Sequence, residues 1–255
     1  NTFQMLQFTG NKKVKKLYNN QQSLQQTYFY HEKLTELPKI VQRYFQFALQ
    51  EGQPVISSLD LEQEGFFRTS LDKPFEKIKG KQYFTCNKPG FVWIGKTKKF
   101  TAVDSFVNAS GELKIYLFSI IPIIRFKGDK INHAELLRWL GESFWMPTNL
   151  LPGKYISWQP IDEYTAKLEM SYLHFYCYYI VHFQANGAVA KIETERYKGE
   201  KLEKWEGTFH NYQKTENMMI PGRIKAHWVI DGESECYADF NVKRFNFVFT
   251  EETSS

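Results

Sequence analysis

Arg138 and Glu142 stand four residues apart, the spacing that makes two side chains neighbours on one helix face. Asp104 lies between Val103 and Ser105 in a stretch that reads as a strand. A carboxylate placed inside a sheet needs a partner or water. Brought together, Asp104, Glu142 and Arg138 would make a polar spot in aromatic surroundings. With one carboxyl pKa raised, that spot could do general acid–base work, as a hydrolase or an isomerase does. The plainer reading is an ion pair that orients the helix on the sheet, because Glu and Arg at helical spacing are common on solvated faces.

Other chemistry has less support. His174 and His182 share a predicted strand face but lie eight residues apart, roughly 26 Å, too far for one metal ion. His210 and His227 fall on other strands, so no metal site is expected. Cys86, Cys177 and Cys236 match no zinc spacing and cannot form a complete disulfide set; they read as small buried hydrophobes. The chain carries no Gly-x-Ser-x-Gly elbow, phosphate-binding glycine loop or His-Glu-x-x-His pair, and no cofactor is expected.

The remaining signal is aromatic bulk. Aromatic residues make up 17% of the 255, with 22 Phe and 15 Tyr. Such residues fit a pleated, half-buried surface, so the composition leans toward sheet. Trp93, Trp139, Trp145 and Tyr178 sit on elements that should adjoin. They either fill a large core or line an apolar cavity, as in curved sheets that enclose one ligand. The formal charge of +5 is mild, and no basic face of the kind nucleic-acid binders carry is visible. Lys12, Lys13, Lys15 and Lys16 form the one compact basic cluster, read first as a solvated helix start, then as a segment facing anionic lipid and last as a nucleic-acid contact.

The elements that must position these residues follow from periodicity. Leu34, Leu37, Ile40, Val41, Tyr44, Phe45 and Ala48 recur at helical spacing, which predicts a helix from about Pro38 to Gln50, and Lys12 to Asn20 reads as a weaker one. From Val55 the pattern turns to strands: Val55–Arg68 with a possible bulge at Gly65, Gln82–Cys86, Phe91–Lys96, Phe100–Asn108 and Leu113–Phe118. The apolar run Ile115–Phe126 is too short and too interrupted to span a membrane. Ile131–Trp145 reads as a helix, with Asn132 and Glu135 as a capping box and Pro147 as its stop. After Gly153 the chain reads as strand to Thr250, with hairpin turns at Asn186-Gly187 and Asp231-Gly232 and one strand from Leu173 to Phe183.

The expected fold is mainly β (α+β). A long antiparallel meander forms a curved sheet or half-barrel, with N-terminal helices and one helix over residues 131–145 packed on it. Residues 37–250 read as a single β-rich domain, 1–36 as a helical or partly ordered lead and 251–255 as a disordered tail.

The residues also resemble a known family. The carriers are Leu37-Pro38 with Val41, Arg43 and Tyr44; Pro89-Gly90-Phe91-Val92-Trp93; and Glu135-Leu136 with Arg138, Leu140, Glu142, Trp145 and Pro147-Thr148. This order is similar to an uncharacterised bacterial family catalogued as a domain of unknown function, over roughly Leu37 to Phe249. The resemblance implies a soluble domain held near a membrane by an upstream hydrophobic segment, which fits a chain that begins at Asn1. It is thus expected to be membrane-associated or extracytoplasmic, on an unspecified side. By fold analogy the meander also looks like the half-barrel of lipoprotein carriers. The function expected first is a non-enzymatic module that binds a lipid or other amphiphile. Trp93, Trp139, Trp145 and Tyr178 would line the site, and Arg138 would meet an anionic headgroup. A hydrolase or isomerase using Asp104 and Glu142 is the alternative. A structural or protein-interaction domain, which would lack any pocket of roughly 300 Å³ or more, is the third.

Overall fold

The computed structural model describes residues 2–19 and 27–250, with side chains from Gly10 onward in the first helix. The expected tail 251–255 and residues 20–26 of the N-terminal lead lie outside the described residues, as does Asn20 of the expected Lys12–Asn20 helix.

Thirteen antiparallel strands form one open sheet. In chain order they are β3 (Ile56–Phe67), β4 (Glu76–Thr85), β5 (Gly90–Lys96), β6 (Phe100–Val107), β7 (Ser110–Leu117), β8 (Ile121–Phe126), β9 (Ile156–Pro160), β10 (Thr165–Tyr172), β11 (Phe175–Phe183), β12 (Val189–Lys198), β13 (Lys201–Thr215), β14 (Met218–Ile230) and β15 (Glu233–Phe249). The short strands β1 (Tyr28–Phe29) and β2 (Gln53–Pro54) pair apart from it. The spatial order is β8-β7-β6-β5-β4-β3-β15-β14-β13-β12-β11-β10-β9, so two meanders join where the last strand pairs with β3. Sequential hairpins explain every other pairing. The result is the curved, half-barrel sheet that the strand pattern predicts.

Among the described residues, three α-helices cover it: α1 (Thr2–Tyr18), α2 (Lys39–Ala48) and α3 (Asp129–Glu142). Helix α2 buries Ile40, Val41, Tyr44, Phe45 and Ala48, the apolar stripe read from sequence. Its Tyr44 packs on Phe144, Trp158 and Phe183, with ring centroids 5.8–6.4 Å apart. Helix α3 bridges the trough, touching β6 and β7 on one side and β11 and β12 on the other. Leu136, Leu137 and Leu140 are buried beneath it. Gly141 lets Tyr179 of β11 come close, since a Cβ there would lie 2.7 Å from the Tyr179 hydroxyl. Helix α1 packs on the opposite, convex face, where Lys13 donates to Ser105 Oγ at 2.6 Å. Among the described residues, no helix is long and apolar enough to cross a membrane.

Several expectations are corrected. Asn132 is not a cap: the helix is entered through Gly128, whose φ of 113° suits glycine, and Asn132 Oδ1 instead accepts the Gly111 N–H at 2.7 Å. The regular helix ends at Glu142 and continues to Trp145 as a 3₁₀ turn. Leu173 and His174 form a turn, Leu173 at φ 55°, so His174 does not share a strand with His182. Gly65 is not a bulge; its missing Cβ admits the Asp239 carbonyl, and the register shifts of β15 against β3 fall after Val242 and Val248. Residues 121–126 are a strand, which the apolar run did not predict.

Candidate functional site

Two features on the trough side of the sheet can do chemistry or binding. The first is a largely buried charged clamp under α3, with Asp104 buried and Arg138 and Glu142 half-buried. The register puts Gln82, Trp93, Asp104 and Leu113 side by side across β4, β5, β6 and β7. Arg138 descends onto this row. Its Nη1 reaches Asp104 Oδ2 at 2.6 Å and its Nε reaches Glu142 Oε1 at 2.9 Å. Gln82 Nε2 donates to the other Glu142 oxygen at 2.6 Å. The guanidinium lies over Phe91 and Trp93, 5.0 and 5.1 Å from the ring centroids, a placement attractive to a cation.

Glu135 completes the clamp, one turn before Arg138, and it is buried. Burial, then the Asp104 charge and a hydrogen bond to it, push the Glu135 pKa well above the usual carboxyl value. Among the described residues, Asp104 Oδ1 and Glu135 Oε2 otherwise have no donor. A proton held by Glu135 and shared with Asp104 satisfies both acceptors. Burial also raises the Glu142 pKa, against the opposing pull of Arg138.

Glycines make room for the aromatic floor. A Cβ at Gly95 would overlap the Trp93 ring, and one at Gly80 would lie 2.8 Å from Trp93 Nε1 and 3.0 Å from Gln63. The indole therefore lies along the sheet over two glycines, edge-on to Phe240. The arrangement recurs across the trough. Trp205 lies over Gly207, donates to the Tyr237 hydroxyl at 2.9 Å and carries Arg196 at 5.2 Å from its ring.

The second feature is an open recess of about 380 Å³ between α3 and the β11–β13 side of the sheet. Leu137, Cys177, Tyr197 and Leu202 give it apolar groups, while Tyr176 and Tyr178 border it with their rings turned to the outer face beside Lys167. Asp129, Lys130, His133, Thr194 and Glu195 add polar groups. Lys130 sits 5.0 Å from the Tyr197 ring and pairs with the well-exposed Glu200 at 2.6 Å. His133 Nε2 lies 2.9 Å from the Tyr176 carbonyl.

The residues singled out from sequence divide among these places. Asp104, Arg138, Glu142 and Trp93 meet in the clamp. Tyr178 borders the recess, stacked on Tyr176 at 6.1 Å. Trp139 is 3% exposed, donates to the Thr85 carbonyl at 3.0 Å and backs a separate 220 Å³ cavity beside Cys86 and Met170. Trp145 is a core residue, its Nε1 on the Pro221 carbonyl at 3.0 Å and its ring against Phe84. The structure thus does not gather the three tryptophans and Tyr178 around one space. Glu135 and the recess residues Leu137, Lys130 and Leu202 were missed. Glu135 carries a signal in the sequence, since it lies on the same helix flank as Arg138 and Glu142 at spacings of three and seven. His182 pairs with Glu193 at 2.5 Å, and burial pushes the Cys86 and Cys177 thiols up to about 12, which disfavours the thiolate form.

These features define an open antiparallel half-barrel whose trough is bridged by one clamped helix. The chain belongs to a family of unknown function, DUF6544, whose model matches residues 27–240. It is similar to the crystal structure of LolA superfamily protein NE2245 from Nitrosomonas europaea, with a TM-score of 0.44 at 11% identity over 81% of this chain and 91% of that one. No curated protein matches the chain.

Proposed function

We propose that the protein is a non-enzymatic module that binds the apolar part of an amphiphile in the recess between α3 and the β11–β13 side. The observation that carries this reading is the recess itself. Its volume of about 380 Å³ falls in the range of roughly 300–1,000 Å³ common for ligand pockets, and its wall is mostly aliphatic and aromatic. Lys130 meets an anionic headgroup, which displaces the exposed Glu200 from it at little cost, because surface ion pairs contribute only about 0–1 kcal/mol. Arg138 has a different part: its two carboxylate partners hold it in the clamp, where it fixes α3 as one wall of the recess. Among the residues that line the recess, none is Asp104, Glu135 or Glu142, which favours binding there over catalysis by the Asp104–Glu142 pair.

Titration with a fluorescent fatty-acid probe tests this. Leu202 is 50% exposed, so Leu202→Glu should fold while placing a charge in the apolar wall. The variant is expected to bind the probe at least tenfold more weakly than wild type, a change of about 1.4 kcal/mol. Equal affinity in both proteins would remove the recess from consideration.

A further inference from the structure

The β7–β8 hairpin leaves an unusual surface at the edge of the sheet. All six residues of β8 are exposed, on both faces of the strand. Phe118 is 63% exposed at the turn, and Ile120, Ile121, Ile123, Ile124 and Phe126 are also exposed. Monomeric proteins rarely present so continuous an apolar edge without a use for it. The turn is held rigidly. Phe118 N–H bonds to the Lys99 carbonyl at 2.6 Å, and Ser119 Oγ lies 2.5 Å from Thr101 Oγ. Phe118 and Ser119 both take left-handed backbone, at φ 48° and 61°. Glycine or asparagine would do so at lower cost, and strain of this kind clusters at functional sites.

Two observations select the occupant. At the open end of the hairpin, away from its turn, Lys13, Lys114, Arg125 and Lys127 all converge on Glu112, at 2.5, 3.3, 2.8 and 3.2 Å. Four cations around one carboxylate leave a local excess of three positive charges next to the apolar edge. The edge is also a poor template for another strand. Pro122 has no N–H to donate, and the register shifts between Ile115 and Tyr116. An apolar edge with cations at one end, and no readiness to pair, fits a lipid surface better than a protein strand.

We propose that the β7–β8 hairpin docks the protein on an anionic lipid bilayer. Phe118, Ile120, Ile121 and Ile123 enter the boundary between headgroups and acyl chains. The cations around Glu112 face the lipid phosphates, an attraction that salt screens. The surface lies outside the amphiphile recess and stands whether or not that recess binds a ligand.

Co-sedimentation of the full chain with vesicles tests this. One set mixes phosphatidylglycerol with phosphatidylcholine and a second is pure phosphatidylcholine. The wild type is expected to bind the anionic set more tightly, and the binding to weaken as salt is raised. The triple variant Phe118→Ser/Ile121→Ser/Ile123→Ser should lose at least tenfold in vesicle affinity while keeping the wild-type circular dichroism spectrum and recess-probe affinity. Should the triple variant fail to fold, Arg125→Glu/Lys127→Glu supplies the test, expected to abolish the preference for anionic vesicles. Absence of wild-type binding, or a charge reversal without effect, would overturn the proposal. A wild-type dimer that the triple variant dissociates would overturn it too, because a second copy would then cover the edge.

Discussion

Glu135 and Asp104 face one another beneath α3, and one proton between them satisfies both carboxyl groups. The pH dependence of that pair has a definite sign. Burial and the Asp104 charge raise the folded pKa of Glu135 above its ordinary 4.5. Below that ordinary value both folded and unfolded chains hold the proton, and the contribution to stability is fully present. As pH rises, the unfolded chain releases its proton while the folded one keeps it, so stability falls until the folded group titrates as well. Glu135→Gln keeps the donor and removes the titration. In urea unfolding, the variant should gain on wild type as pH rises from about 4 to about 8. A difference that stays constant with pH would show that Glu135 does not hold the proton. At this scale the sequence revealed the Arg138–Glu142 pair, because helical spacing is local. It hid the role of Glu135, because that role depends on Asp104, 31 positions earlier in the chain and met only through the sheet register.

Helix α3 is where local reading and distant packing meet. The helix itself and its stop before Pro147 are legible in the sequence. What the helix touches is not, since β7 and β11 lie at opposite sides of the trough. Arg138 fastens it to β6 through Asp104, Gln82 of β4 fastens it through Glu142, and the Tyr179 hydroxyl of β11 donates to the Leu137 carbonyl at 3.0 Å. Removing Arg138 leaves the buried Asp104 and the half-buried Glu142 without their cation. Breaking a buried pair in this way costs about 3–5 kcal/mol. Arg138→Met should therefore destabilise the protein by that amount in urea unfolding, and Arg138→Lys should recover little, because an ammonium cannot reproduce the forked bonding or the stacking on Phe91 and Trp93. A loss below about 1 kcal/mol would mark the clamp as a mere surface pair. Strand β8 marks the limit of periodicity. Its apolar residues fall on both faces and Pro122 interrupts them, so neither a two-residue nor a helical period emerges.

For the whole molecule, strong turn signals made the meander readable, as at Asn186-Gly187, where Gly187 has φ 90°. The strand order therefore followed from sequential hairpins, apart from the junction of β3 with β15. The recess was not readable. It forms between the first turns of α3 and β11–β13, and its residues come from segments far apart in the chain. The tryptophans drew attention through size, yet Trp139 and Trp145 donate their N–H groups to backbone carbonyls and stabilise the interior. The proposed ligand instead meets smaller, less conspicuous side chains such as Leu137, Cys177 and Leu202. Mass spectrometry of organic extracts tests the proposed binding function most directly, on protein purified without detergent and beside a mock purification. The prediction is a near-stoichiometric amphiphile in wild type, strongly depleted in Leu202→Glu. A wild-type extract indistinguishable from the mock, or equal loading of the variant, would contradict it.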